Sequence, residues 1–470
     1  MTDTIWSDAT AQADAIHTGS VSARELAQEY LSRIERFDDQ LRAYVSLDTE
    51  RVLAEAARAD AAVRDHGSDA LPPFLGVTIS IKDVIDVEGL PTTHSCKALA
   101  DHVAEHDDPL VERLRNAGFL VLGKSNVPEF CTSMTSSELN GICRNPWDTD
   151  RTPGGSSGGA AAGLAAALGA VAHGTDGAGS VRTPASYCGL VGLKPTRGLV
   201  GFGPERGNAY YATSVDGILS HSVRDAAGLL DVFVGLHDAQ PSWSGRPAIP
   251  WSDCARDDPG RLRVAVTTSF PFGEITAVCA DAARAVARQI EALGHDVVEA
   301  TPQWEVILAC AAGPMSVPGA AAFVGLDQLD LVEPRNRPVI EREFAYTALE
   351  HHRWVEQTRA ASREFLRFWD DVDVVITPTA GILPPSVDWA PWDQAPDEHM
   401  ATFMGFANFS HPFNLSGQPG LNVPAVWTDD QIPIGVQLAG RPFAEATLFQ
   451  LASQIEVAMP WADRRPHAFA

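Results

Sequence analysis

The sequence predicts an α/β fold in which a mixed or parallel β-sheet is sandwiched between layers of helix. Two observations carry this reading. Short apolar runs recur along the chain, among them VTISIKDVIDV, FLVLGKSN, LRVAVTT, DVDVVITPTA and VQLAG. Stretches of helical character lie between them, and strands that alternate with helices build a sheet covered by helical layers. At 470 residues the chain is long enough to bury such a core.

Taken in order, residues 7–65 are helical in pattern. Leu26, Tyr30, Leu31 and Ile34 recur at helical spacing, and a second run spans Thr49 to Arg64. Pro72-Pro73 stops this layer, and GVTISIKDVIDV opens the central body as a strand. A helix over 107–119 and a strand over 119–126 follow, then a polar loop region at 127–150 containing Cys131, Ser133 and Met134. The stretch 151–182, RTPGGSSGGAAAGLAAALGAVAHGTDGAGSVR, reads as a Gly/Ser loop, a helix of small residues and a second Gly-rich turn that closes on Ser180. Residues 198–217 read as loop and carry Phe202, Tyr210 and Tyr211, and 222–236 as helix. The proline-containing span 237–260 reads as a surface connection. A strand over 262–268, a helix over 280–293 and a strand over 295–300 lead into a largely helical span at 301–370. A buried strand at 371–380, a strand at 436–440 and a closing helix at 444–458 complete the chain.

The formal net charge of −26 argues against a nucleic-acid partner, whose phosphates attract Lys and Arg. The longest stretch of small apolar residues, Ala160 to Ala172, is too short and too rich in Gly and Ala to span a bilayer, so no membrane partner is expected. The opening MTDTIWSDATAQADA has no basic region ahead of an apolar core, and the seven cysteines show no CxxC or metal-ligand spacing. These features predict reduced thiols and a cytoplasmic location.

The chemistry concentrates in 151–182. Gly-rich turns expose backbone N–H groups that can stabilise a developing negative charge. Two serines sit in such turns, Ser156 and Ser180, 24 residues apart. Lysine occurs only at 82, 97, 124 and 194, and one of these, Lys82, lies in the first apolar strand. Arginine stays protonated in proteins, whereas a buried lysine can lose its proton and act as a base. Taken alone, DGAGS reads as a tight turn with a solvated serine, and Lys82 as a strand-edge lysine that reaches solvent. GGSSG at 154–158 also fits a nucleophile elbow, but the polar, proline-containing Asp148 to Pro153 stands where that motif needs a hydrophobic strand.

Over nearly its whole length the sequence resembles the amidase signature hydrolases. GVTISIKDVIDVEGLPTT (76–93), NPWDTDRTPGGSSGG (145–159) and GTDGAGSVRTPASYCGLVGLKPTRG (174–198) are similar to the family's lysine, cis-serine and nucleophile segments. FNLSGQPGLNVP (413–424) and GVQLAGRP (435–442) are similar to its C-terminal signature. The resemblance implies one α/β/α domain over 1–470: a helical layer at 1–70, a catalytic core at 71–236, a variable insertion at 237–370 and the rest of the core at 371–470. It implies Ser180 as nucleophile, Ser156 after a cis peptide as relay and Lys82 as base, the N–H groups of Gly177, Ala178, Gly179 and Ser180 forming the oxyanion hole. The lysine pKa must then fall from about 10.4, and burial acts in that direction. Ser157, Asp176 and Arg182 match supporting positions. Ala178 departs from the family's usual glycine and adds a methyl beside the hole. Cys131, Ser133, Phe202, Tyr210 and Tyr211 lie in segments that could line a substrate pocket. No metal and no organic cofactor is implied; a homodimer is.

The expected activity is hydrolysis of a small amide, anilide or carbamate. Two rivals remain open at this stage. One is the A subunit of a glutamine-dependent tRNA amidotransferase, which shares the fold and the triad. The other is a catalytically dead binding protein on the same scaffold, which the intact triad positions count against.

Overall fold

The computed structural model describes residues 4–66, 71–201, 213–235, 247–311 and 320–470 apart from 397, 400, 401 and 403–408. Its centre is a sheet of eleven strands: β1 (Tyr44–Leu47), β2 (Thr78–Lys82), β3 (Leu120–Ser125), β4 (Val171–Asp176), β5 (Val191–Lys194), β6 (Val215–Ser220), β7 (Arg263–Val266), β8 (Asp296–Glu299), β9 (Val374–Pro378), β10 (Gly420–Trp427) and β11 (Pro433–Gly440). Their spatial order is β1-β3-β2-β4-β6-β5-β10-β11-β9-β7-β8. The β3-β2-β4 and β9-β7-β8 neighbours are parallel, and the other pairs are antiparallel. The sheet is therefore mixed, within the expected α/β class.

Period-two alternation along the strands assigns residues to opposite faces. Val374 and Ile376, Val264 and Val266, and Leu438 join the large core under the N-terminal and C-terminal helices. Val375, Ala265 and Ala439 face a second cluster with Trp304, Trp354, Trp369 and Phe413. Likewise Val171 and Ile218 pack into the large core, while Ala172 and Leu219 meet the small-residue helices of 151–182. The helices divide accordingly. Ala23–Leu41 (α1), capped by Ser22 and Glu25, lies with Val223–Phe233 (α2) on the large-core face. Gly158–Ala165 (α3) and Arg182–Cys188 (α4) lie on the other.

Several boundaries differ from the sequence reading. The small-residue helix ends at Ala165, and the rest of the expected stretch turns into β4. Residues 215–217, read as loop, begin β6. Within 237–370 the strands expected at 262–268 and 295–300 are present as β7 and β8, and they extend the main sheet. Among the described residues no helix is long and apolar enough to cross a membrane, and all seven cysteines are free thiols.

Candidate active site

Parallel β2 and β4 end at the same edge of the sheet, where ligands of α/β proteins gather. Lys82 is the last residue of β2 and Asp176 the last of β4. The Lys82 ammonium, fully buried, donates to Ser156 Oγ at 2.7 Å, to Thr175 Oγ1 at 2.8 Å and to the Thr175 carbonyl at 3.2 Å. Its three N–H donors are thus all placed. Burial pushes its pKa down from 10.5, opposed by the adjacent Cys131 thiol and by the Asp176 and Asp216 carboxylates. Behind it, the Lys82 backbone N–H donates to His173 Nδ1 at 3.4 Å, and His173 Nε2 pairs with Asp216 Oδ1 at 3.1 Å.

Ser156 is 1 % exposed and follows a cis Gly155–Ser156 peptide bond. The glycines around it serve close packing and do not make a flexible linker. A Cβ on Gly155 would lie 2.1 Å from the Ser133 carbonyl oxygen, and one on Gly174 would lie 2.7 Å from Ser157 Oγ. The Ser157 N–H donates to the Ser180 carbonyl at 3.1 Å, which fastens the two serine loops together, and Ser157 Oγ donates to the Thr175 carbonyl at 3.4 Å. Ser180 itself is half-buried, more open than Ser156 or Lys82.

The turn 177–180 is held from beneath by Asp176. Its carboxylate accepts from the N–H groups of Gly179 at 2.8 Å and Val181 at 3.2 Å, and from Arg182 Nε at 2.9 Å and Nη2 at 2.8 Å. Burial alone would raise its pKa, but the Arg182 charge and these donors hold it well below the usual carboxylate range. Arg182 is fully buried and also donates to the Ser410 carbonyl at 3.0 Å, Gln437 Oε1 at 2.6 Å and Asn414 Oδ1 at 2.6 Å. It is a satisfied strut and not a solvated charge. In the segment expected to form an oxyanion hole, the Gly179 N–H already donates to Asp176; Gly177 and Ala178 are half-buried. Gly179 has φ +115°, and a Cβ there would lie 2.6 Å from Ser410 Cβ, so glycine is required. The Ala178 methyl packs against Met134, Tyr187, Ala380 and Ala390.

Of the expected pocket residues, Cys131 is half-buried with φ +62°, and its thiol favours the charged form of Lys82. Ser133 is 2 % exposed, with its carbonyl against Gly155. Phe202, Tyr210 and Tyr211 lie outside the described residues. Among the described residues no group of three His, Cys, Asp or Glu side chains could hold a metal ion.

Burial does not single out Lys82, since Lys124 and Lys194 are also fully buried. Partners do. Lys124 pairs with Asp83 at 3.2 Å, and Lys194 donates to the Pro195 carbonyl at 2.9 Å. Other residues carried no role in the sequence reading. Thr175, Asn414 and Gln437 stood inside the quoted motifs and Ser410 just ahead of one, and the usable signal was a polar side chain in an apolar run, which must find a partner when buried. Glu129, Glu333, Arg335 and Asn336 had no local signal at all. Glu129 accepts from Asn336 Nδ2 at 2.7 Å and from the Glu333 N–H at 3.0 Å. Arg335 joins Glu333 at 2.7 Å to the Ser136 carbonyl at 2.7 Å, bracing the loop of Cys131 and Ser133.

Comparison with known proteins identifies the family. The Amidase family model matches residues 25–449. A 6-aminohexanoate-cyclic-dimer hydrolase from Pseudomonas sp. (strain NK87) is 36% identical over 488 residues, covering 98% of this chain and 97% of that protein. An acylamidase from Rhodococcus erythropolis is 33% identical over 481 residues, covering 98% and 97%. A solved 6-aminohexanoate cyclic dimer hydrolase complexed with substrate superposes with a TM-score of 0.91 at 33% identity, covering 99% of this chain and 100% of that one. The chain belongs to the Amidase family and is a hydrolase of carbon–nitrogen bonds other than peptide bonds.

Proposed function

We propose that the protein hydrolyses a small amide through a covalent Ser180 acyl-enzyme, with Ser156 as proton relay and Lys82 as base. The observation that carries this reading is the 2.7 Å contact between Lys82 Nζ and Ser156 Oγ, both shielded from water, beside the more open Ser180. A hydroxyl needs a base to become a competent nucleophile, and a desolvated amine is one. Ser180 Oγ attacks the carbonyl carbon while its proton passes to Ser156 and the Ser156 proton passes to Lys82. The oxyanion accepts N–H donors from the 177–180 turn, which Asp176 fixes in place. The relay then returns a proton to the leaving nitrogen, the amine departs, and water releases the carboxylic acid by the same route.

The relatives carry hydrolase and acylamidase names, which favours amide hydrolysis over an amidotransferase A subunit. The small cluster of Met134, Tyr187, Ala380 and Ala390 against Ala178 suits an apolar acyl group. The test is turnover of matched nitroanilides, primary amides and aryl carbamates, together with labelling by a fluorophosphonate. Turnover and labelling that vanish in Ser180→Ala, with unchanged circular dichroism, are expected. Substantial activity left in that variant would refute the nucleophile. Hydrolysis of glutamine alone, and only with an added partner subunit, would favour the amidotransferase.

A further inference from the structure

Lys82 is held at both of its ends by β4. The two strands β2 and β4 pair at Ile79 with Val171 and at Ser80 with Ala172, and this pairing ends two residues short of Lys82. On its other side β2 stays paired with β3 as far as Lys82 itself, opposite Ser125. Beyond the last β2–β4 pair a side chain takes over: His173 Nδ1 accepts from the Lys82 backbone N–H at 3.4 Å. At the far end of the residue, Lys82 Nζ donates to Thr175 Oγ1 at 2.8 Å and to the Thr175 carbonyl at 3.2 Å. His173 and Thr175 are alternate residues of one strand, so the lysine is gripped from a single rigid element.

β6 ties the two grips together. In the antiparallel register Thr175 lies opposite Asp216 and His173 opposite Ile218, which puts Asp216 diagonal to His173. His173 Nε2 and Asp216 Oδ1 are 3.1 Å apart, and both side chains are fully buried. These contacts fix the tautomer: Nδ1 accepts and carries no proton, so Nε2–H donates to the carboxylate. The Phe233 ring of α2 packs against the imidazole, with centroids 6.0 Å apart. Packing and a hydrogen bond from behind thus lock the ring that meets Lys82. Given Lys82 as the base proposed above, we infer that His173, oriented by Asp216, is its positioning residue, setting the end of β2 so that Nζ reaches Ser156 Oγ and Thr175 together.

Asp216 also acts through its charge. The ionisable groups that face Lys82 are the Cys131 thiol, Asp176 at the end of β4 and Asp216 on β6, and each opposes the downward shift that burial imposes on the lysine. Asp216→Asn keeps an oxygen that can accept from His173 Nε2–H but removes the anion. The protonated lysine is then less favoured, so the pH at which Lys82 becomes a free base moves down.

The test is the pH profile of kcat and KM for anilide hydrolysis by the full-length chain and by His173→Leu, His173→Asn, Asp216→Asn and Lys82→Arg, each first checked for folding by circular dichroism. His173→Leu removes the acceptor behind Lys82, and kcat should fall about 10²-fold with KM little changed. His173→Asn, whose Oδ1 can accept from the Lys82 N–H without reaching Asp216, should recover part of that loss. In Asp216→Asn the acidic limb should move about one unit to lower pH. Parent kcat in a folded His173→Leu chain, or equal losses in the Leu and Asn variants, would overturn the positioning role. Should His173→Leu not fold, parent-like profiles in both His173→Asn and Asp216→Asn would overturn it. Failure of the base itself reads differently: the acidic limb would then persist in Lys82→Arg. A limb lost in Lys82→Arg and untouched by the His173 and Asp216 variants would spare the base and refute the pair.

Discussion

At the scale of single residues, Lys82 carries the clearest consequence of burial. A proposed base must be neutral when it acts, and burial lowers the Lys82 pKa from 10.5. The sign follows: kcat/KM should rise as pH increases through that lowered pKa and level off above it. Lys82→Arg keeps the charge but cannot accept a proton, so the rate should fall about 10²–10⁴-fold and the acidic limb should vanish. A limb that survives in the variant would belong to another group. Arg182 acts differently. Removing it leaves Asp176, Gln437 Oε1 and Asn414 Oδ1 without their buried donor. Arg182→Ala should cost about 3–5 kcal/mol in urea unfolding, and a loss below ~1 kcal/mol would contradict a buried strut.

At the scale of elements, the loop 128–138 is held by a segment about 200 residues further along the chain. Arg335 is fully buried, joins Glu333 to the Ser136 carbonyl, and sits beside Asn336, whose side chain accepts from Thr132 Oγ1 at 2.8 Å. Burial raises the Glu333 pKa to about 7, with Arg335 opposing and Glu129 reinforcing the shift. If this brace sets the pocket loop, Arg335→Lys should raise KM by roughly 3–10-fold with little change in kcat, because a point charge replaces a two-armed donor. An equal fall in kcat at constant KM would place its effect on the reacting groups. This brace also marks the limit of what the sequence reveals. The Lys82 strand, the two serine loops and strands such as 371–380 have local patterns of apolarity or small residues. β4 and β6 do not stand out, because their residues are buried on both faces and mix Gly, Ala, Thr and Ser, so neither period is visible. The Glu129–Glu333 contact is a matter of tertiary geometry, and no residue near Glu129 announces it.

At the scale of the whole molecule, buried ionisable groups predict an unusual dependence of stability on pH. Burial raises Asp38 to about 6 and Asp225, Glu333 and Glu456 to about 7, from ordinary values of 3.8 or 4.5. Between pH 4.5 and 7 the folded chain holds protons that the unfolded chain has released. These groups therefore stabilise the fold at low pH, and that stability is lost as pH rises through 7. Lys194 has the opposite sign. Burial lowers it from 10.5 to about 7, so between those values the unfolded chain binds the extra proton and stability rises with pH. His221, His399 and His411, each lowered by burial from 6.5 to about 4, also make stability rise with pH between those values, so the melting temperature falls only shallowly from pH 5 to about 7 and recovers above. Glu456 offers the cleanest test, because its carboxylate makes only long contacts, 3.3 and 3.4 Å, to the Val223 N–H, which an amide oxygen can keep. Glu456→Gln should shrink the fall between pH 5 and 7.5 by roughly 2 °C and leave the recovery at alkaline pH unchanged. An identical slope in the variant would assign the fall to the other buried carboxylates, and a parent profile that rises throughout would mean that the buried histidines outweigh the four acids.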